Sequence, residues 1–286
     1  MTTHSIPSAG GLKLNVQETG PVDAQPILFI HGFSQCGLAW MKQMRSDLAR
    51  DFRLIAMDIR GHGFSEKPRD VYGDSNLWAD DIHAVIAALG LDAPVLVGWS
   101  YAGVIILDYL QVYGDDRIAG MQFVGAVTRL GEPLVSANFL GGEFLTLLPG
   151  FFSENTMESV SALTRFLHLC QHTVPSADDL YLLLGSNVIV PPHVRQALFA
   201  RSLNHDDVLA AVRRPVSLVY GEADQIVSPR MCTHVEGLVP HATVSTYAST
   251  GHMPFWEEPA RFNRELREFA RACGSGRNLA GVAGLS

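Results

Sequence analysis

Apolar positions along the chain gather into short unbroken runs separated by polar, glycine-rich segments. Pro26–Ile30 reads Pro-Ile-Leu-Phe-Ile, Phe52–Met57 reads Phe-Arg-Leu-Ile-Ala-Met, and Pro94–Val97 reads Pro-Val-Leu-Val. Runs this brief, rich in β-branched residues, predict strands buried on both faces of a parallel sheet. Leu12–Glu18 instead alternates Leu12, Leu14 and Val16 with polar neighbours, the pattern of an antiparallel edge strand with one wet face. Helical spacing runs over Leu38–Arg50 and over Asp74–Leu89, where Gly90 supplies the stop. Val104–Leu110 continues the third run as a helix, and Ile118–Val127 is the next central strand. Strand, helix and strand at this spacing predict parallel βαβ units.

The alternation breaks at Arg129. From there to Val212 the apolar positions take helical spacing in Phe139–Leu148, Val160–Leu169, Leu180–Leu184 and Val194–Leu203, and Ser176–Asp179 reads as a capping box. The alternation then resumes with strand Pro215–Tyr220, helix Pro229–Leu238 and strand Ala242–Tyr247, before Pro254 opens a terminal helix carrying Phe262, Leu266 and Phe269. The expected architecture is an α/β core over 1–128 and 213–272, an inserted helical lid over 129–212, and a disordered tail over 273–286.

Composition narrows the possible roles. The chain has 286 residues, 47% hydrophobic and 17% charged, enough to bury a sizeable core. A net charge of -8 without a basic stripe argues against nucleic acid and anionic membrane surfaces as partners. No apolar run reaches spanning length, and the first residues lack the regions of a signal peptide. Cys36, Cys170, Cys232 and Cys273 lie far apart without a C-x-x-C pair, so neither a disulfide framework nor a zinc site is expected. The expectation is a cytoplasmic protein, monomer or dimer, with no metal and no cofactor.

Candidate chemistry centres on Gly98-Trp99-Ser100-Tyr101-Ala102-Gly103, between the third run and its helix. A sharp strand-to-helix turn lifts the serine hydroxyl clear of the sheet, provided that the residues two before and two after it are small. Gly98 and Ala102 meet that demand, with Ala standing where the strict motif has Gly. A serine needs a base, and the base an orienting carboxylate. Asp224 and His252 follow the next two strands after the insertion, and loops at the carboxyl ends of parallel strands lie on one edge of a sheet. Glu222 falls two residues early for the acid, and Asp58 lies in the wrong loop.

These residues, with His31-Gly32-Phe33, Asp58–Ser65, Gly221–Asp224 and Gly251–Phe255, resemble the α/β-hydrolase superfamily in its lidded branch. That branch includes esterases, carbon–carbon bond hydrolases and cofactor-free haloperoxidases. The resemblance implies a mostly parallel central sheet flanked by helices, with Ser100 as nucleophile, His252 as base and Asp224 as orienting acid. It also implies an oxyanion hole from the backbone N–H groups of Phe33 and Tyr101. Gly32, Phe33, Trp99, Tyr101 and Met253 are candidate substrate contacts, while His31 and His62 organise turns.

A serine nucleophile favours acyl transfer over the direct carbon attack of epoxide hydrolases and haloalkane dehalogenases. Cleavage of a small to medium apolar ester or lactone through an acyl-enzyme is the expectation. Carbon–carbon hydrolysis of a diketone-like ring-cleavage product is the enzymatic alternative, and would need cations such as Arg129, Arg165 or Arg195 for a substrate carboxylate. Perhydrolysis is a possible side activity, and a small-molecule receptor that keeps the triad is the non-enzymatic alternative.

Overall fold

The computed structural model describes residues 1–131 and 137–275. Its strands are β1 (Thr2–Pro7), β2 (Lys13–Thr19), β3 (Pro26–Ile30), β4 (Arg53–Met57), β5 (Val95–Trp99), β6 (Gly120–Val124), β9 (Val216–Gly221) and β10 (Thr243–Tyr247), with a separate two-residue pair, β7 (Arg129–Leu130) and β8 (Leu203–Asn204). The eight-stranded sheet runs β1-β2-β4-β3-β5-β6-β9-β10. β1 pairs β2 and β2 pairs β4 antiparallel; every later pairing is parallel. β3, β4, β5 and β6 are buried along their whole length, because helices cover both faces.

The helices in chain order are α1 (Met41–Met44), α2 (Leu48–Asp51), α3 (Ser75–Ala88) and α4 (Ala102–Tyr113), followed between β6 and β9 by α5 (Gly142–Thr146), α6 (Leu148–Phe152), α7 (Thr156–Leu169), α8 (Ala177–Val188), α9 (Pro192–Phe199) and α10 (Asp206–Ala210). After β9 come α11 (Pro229–Leu238), α12 (Pro254–Glu257) and α13 (Pro259–Gly274). Side-chain caps set several starts: Asp74 accepts from Asn76 N at 2.9 Å for α3, and Ser176 Oγ from Asp179 N at 3.1 Å for α8. The capping box at Ser176 is half made, because the Asp179 carboxylate turns to Trp256 Nε1 at 3.2 Å.

Several expectations are corrected. β2 is not an edge strand, since β1 pairs along its outer side. Leu38–Arg50 is not one helix but a 3-10 turn (Gly37–Trp40) followed by α1 and α2; Ser46 Oγ takes the Gln43 carbonyl at 2.7 Å and receives Leu48 N at 3.2 Å, ending the helix where it would otherwise continue. Leu203 leaves its expected helix to pair with Leu130 in the β7–β8 ladder. The terminal helix breaks at Glu258, which has an extended φ of -121° before Pro259 restarts it. The boundary expected at 273 falls inside α13, which continues to Gly274; residues 276–286 of the expected tail lie outside the described residues.

Candidate active site

β5 delivers Ser100 at its carboxyl end, and the residue takes φ +57° in the left-handed region, which costs a residue with a Cβ about 1–2 kcal/mol. The surroundings hold it there. Ser100 N donates to Val124 O at 3.0 Å, and its carbonyl accepts from Gly103 N at 3.0 Å and Val127 N at 2.9 Å. A Cβ on Gly103 would stand 2.4 Å from Val127 O, so α4 can cross only because that residue is bare. A Cβ on Gly98 would stand 2.5 Å from Ile106 Cδ1 and 3.4 Å from the Ala102 methyl, so Gly98 must be bare to admit α4.

Asp224 and His252 meet each other beyond the carboxyl ends of β9 and β10, and no hydrogen bond joins His252 to Ser100. His252 is fully buried, and its Nδ1–H donates to Asp224 Oδ2 at 2.7 Å. Asp224 Oδ1 accepts from Ile226 N at 2.8 Å and Val227 N at 2.9 Å, leaving Oδ2 for the imidazole. With Nδ1 committed, His252 Nε2 is buried and without a partner among the described residues. Glu222 is exposed on the same loop and takes no part in this pair.

Phe33 and Tyr101 flank Ser100, and a Cβ on Gly32 would meet the Ser100 Cβ at 2.7 Å, so this loop abuts the serine directly. Tyr101 precedes the first turn of α4, whose leading N–H groups have no intrahelical acceptors. Its side chain is fully occupied: the OH donates to Leu198 O at 2.9 Å, and burial pushes the phenol up to about 12, so it remains a neutral donor.

Of the remaining expected contacts, Trp99 and Met253 lie behind the site. Trp99 Nε1 donates to His252 O at 2.9 Å, and the fully buried Met253 gives its carbonyl to Trp256 N and Glu257 N, both at 2.9 Å, opening α12. His31 and His62 are turn organisers. His31 Nε2 accepts from Ile59 N at 3.1 Å and His62 Nε2 from Ser34 N at 3.2 Å, while their Nδ1 atoms donate to Gly32 O and Arg60 O. Burial lowers both pKa values below the ordinary histidine range. Asp58 is equally committed, accepting from Gly37 N at 2.6 Å, Phe64 N at 2.8 Å and Asn15 Nδ2 at 2.9 Å.

Ser100 lines a small apolar cavity together with Phe33, Tyr101, Leu140, Phe144, Phe199 and Val227. Leu140, Phe144 and Phe199 come from the insertion, and sequence alone could not aim them here, because an apolar residue on a helix reads the same whether it faces core or cavity. Phe33 packs edge-on against Phe199 at 4.9 Å between centroids and lies 5.7 Å from Phe151, so the loop beside the serine and the insertion share one aromatic cluster. A further residue missed by sequence reasoning is Gly125, at φ +49°: a Cβ there would stand 3.0 Å from His252 Nδ1 and 3.2 Å from Asp224 Oδ2.

The three arginines considered as carboxylate binders are engaged elsewhere. Arg129 pairs with Asp206 at 3.2 Å and Arg165 with Glu143 on the surface. Arg195 is buried and spends its donors on the carbonyls of Phe151, Asn187 and Val190 and on Ser159 Oγ; burial pulls its pKa down to about 10. Among the described residues no group of three or more His, Cys, Asp or Glu side chains is arranged to hold a metal ion, and no helix is long and apolar enough to cross a membrane.

Known proteins resemble this one over nearly its whole length. A bifunctional esterase/perhydrolase from Acinetobacter calcoaceticus is 34% identical over 284 residues, covering 93% of this chain and 99% of the relative. The crystal structure of the esterase RhEst1 from Rhodococcus sp. ECU1013 superposes with a TM-score of 0.90 at 36% identity, covering 96% of this chain and 100% of that one. A 2-hydroxymuconate semialdehyde hydrolase from Pseudomonas sp. (strain CF600) is 24% identical over 270 residues, 91% of each chain. The family model for the alpha/beta hydrolase fold matches residues 25–259, and with that match, on a parallel sheet whose fifth strand ends in a serine elbow, the chain belongs to the α/β-hydrolase family.

Proposed function

We propose that the protein is a serine esterase acting on small apolar carboxylic esters or lactones through an acyl-enzyme, with the insertion as a lid. The observation that carries this reading is the buried, unpartnered Nε2 of His252, whose other ring nitrogen is fixed on Asp224 at 2.7 Å. A buried acceptor left unpaired costs free energy, and taking a proton from Ser100 is a use that explains why that cost is kept.

In this reading Ser100 Oγ forms a bond to the ester carbonyl carbon while its proton passes to His252 Nε2. The carbonyl π pair moves onto oxygen, where the N–H groups of Phe33 and Tyr101 receive it; one such donor contributes about 3–4 kcal/mol in serine hydrolases. Collapse breaks the carbon–alkoxide bond, and His252 returns the proton to the leaving alcohol. Water, deprotonated by His252, then releases the acid and regenerates Ser100.

The cavity lining supports a small apolar acyl group, because Phe33, Leu140, Phe144, Phe199 and Val227 present only uncharged, apolar side chains beside Ser100. The carbon–carbon alternative keeps a relative at 24% identity in its favour, while of the arginines weighed for its anionic substrate Arg195 is spent inside the insertion and Arg129 and Arg165 pair with Asp206 and Glu143. The test is turnover of p-nitrophenyl esters of increasing acyl length by wild type and Ser100→Ala. Serine-dependent turnover, fastest on short acyl chains, is expected. Full activity of Ser100→Ala overturns the mechanism, and silence of the wild type on every ester, with binding intact, moves the protein to the receptor reading.

A further inference from the structure

His252 is anchored at three points, and one of them lies outside the α/β core. Asp224 holds its ring and Trp99 Nε1 holds its carbonyl at 2.9 Å. Its backbone N–H donates to Cys170 O at 2.8 Å, and Cys170 belongs to the connection between α7 and α8 of the insertion. That connection is in no strand: Cys170 N closes the end of α7 on Phe166 O at 3.0 Å, and one carboxylate ties down the segment that follows. Glu257 Oε2 accepts from His172 N at 2.9 Å, Thr173 N at 2.9 Å and Thr173 Oγ1 at 3.0 Å, while its Oε1 accepts from Gly251 N at 2.7 Å. The same side chain therefore grips the two peptide N–H groups that follow the Cys170–Gln171 segment and the one that precedes His252.

We propose that Glu257 is a positioning residue for His252, the clasp that holds the root of the lid against the loop of the base. The inference rests on the reading of His252 as the base for Ser100. Glu257 touches neither the serine nor the cavity; it acts by setting where the Cys170 carbonyl and the Gly251 peptide sit, and these set the backbone of His252. His172 and Thr173 are solvent-exposed, so water can replace the carboxylate on their donors, and that side of the clasp contributes little to global stability; Gly251 is buried, and its N–H is the donor that a remaining side-chain oxygen must keep. Stability and positioning are therefore separable by measurement. Glu257→Gln preserves shape but turns one end of the group into a donor facing N–H donors, so it keeps either the Gly251 contact or the 172–173 contacts and loses the other.

The experiment is steady-state hydrolysis of p-nitrophenyl acetate by wild type, Glu257→Gln, Glu257→Asp and His252→Asn, with a thermal melt of each. Glu257→Gln is expected to lower kcat by about ten- to a hundredfold, the scale of an ångström-level misplacement, with KM within about twofold and the melting temperature within a few degrees of wild type. Glu257→Asp, too short to span both sides, is expected to lose kcat in the same way. Wild-type kcat in both Glu257 variants beside an inactive His252→Asn overturns the clasp alone. A loss that appears in KM, or only with a collapse of the melt, reduces Glu257 to fold support and also overturns it. An active His252→Asn removes the base reading and the clasp with it.

Discussion

Replacing Gly125 with Ala separates the cost of backbone strain from the cost of crowding the His252–Asp224 pair. Gly125 follows β6 at φ +49°, and its N–H donates to Val219 O at 2.8 Å. A methyl group there stands 3.0 Å from His252 Nδ1 and 3.2 Å from Asp224 Oδ2, so one partner must retreat by a few tenths of an ångström. Neither has slack: His252 is fully buried and tied at N–H and carbonyl, and Asp224 is tied by two peptide N–H groups. Gly90 is the matched control, at φ +57° with no heavy atom within 4 Å of an added Cβ. Both substitutions carry the left-handed penalty of about 1–2 kcal/mol. At the roughly 2–4 °C per kcal/mol of a chain this long, each is expected to melt several degrees lower. Only Gly125→Ala is expected to lose catalysis. If an ångström of misplacement costs about a hundredfold, a shift of roughly half that size costs about tenfold in kcat. The assay is kcat for p-nitrophenyl acetate with a melt of each variant, and a Gly125→Ala kcat within about twofold of Gly90→Ala would refute the argument that this pair does the chemistry.

Two further outcomes follow from the hydrogen bonds at and behind the site. In Asp224→Asn the amide oxygen stays on Ile226 N and Val227 N and the amide N–H turns to His252, which moves the imidazole proton to Nε2; kcat is expected to fall by about ten thousandfold, whereas Glu222→Gln, on an exposed side chain, stays near wild type in the same assay. His31 and His62 are held neutral below the ordinary histidine range, so the unfolded chain binds their protons first, and their contribution to stability is complete above about pH 6.5 and is lost as pH falls below it toward the folded values. Each adds up to about 1.4 kcal/mol per pH unit to that slope, so urea unfolding at pH 7.5 and 5.5 is expected to show a wild-type loss that His62→Asn reduces, and an unchanged slope in the variant contradicts the assignment.

The parallel core was legible because its strands are buried on both faces: Ile27–Ile30 and Val95–Val97 read as strands from residue type alone. The elbow was legible for a related reason, since Gly98, Ser100 and Gly103 meet local steric demands within one turn. What misled was the reach of tertiary partners into local pattern. Leu38–Arg50 has helical spacing, yet Ser46 breaks it, and Gln43 is buried with its amide on Phe255 O at 2.8 Å and Asn263 at 3.0 Å, partners more than two hundred residues on. β1 carries mixed polar residues and gains its place by pairing with β2.

The same limit governs the site. Arg195 and Glu257 are each a charged residue on a short helix, and residue type invites reading the arginine as a ligand for substrate and the glutamate as a solvated charge. The structure reverses both. Arg195 faces inward and satisfies carbonyls near the end of α8, at Asn187 and Val190, so its charge is consumed in holding the insertion together. Glu257 gathers three peptide N–H groups and one hydroxyl from two segments about eighty residues apart in sequence. What decides each role is the set of donors or acceptors brought opposite the side chain, and that set exists only after the insertion has packed. The placing of Arg195 therefore follows from how the insertion is stapled, which composition and spacing cannot express.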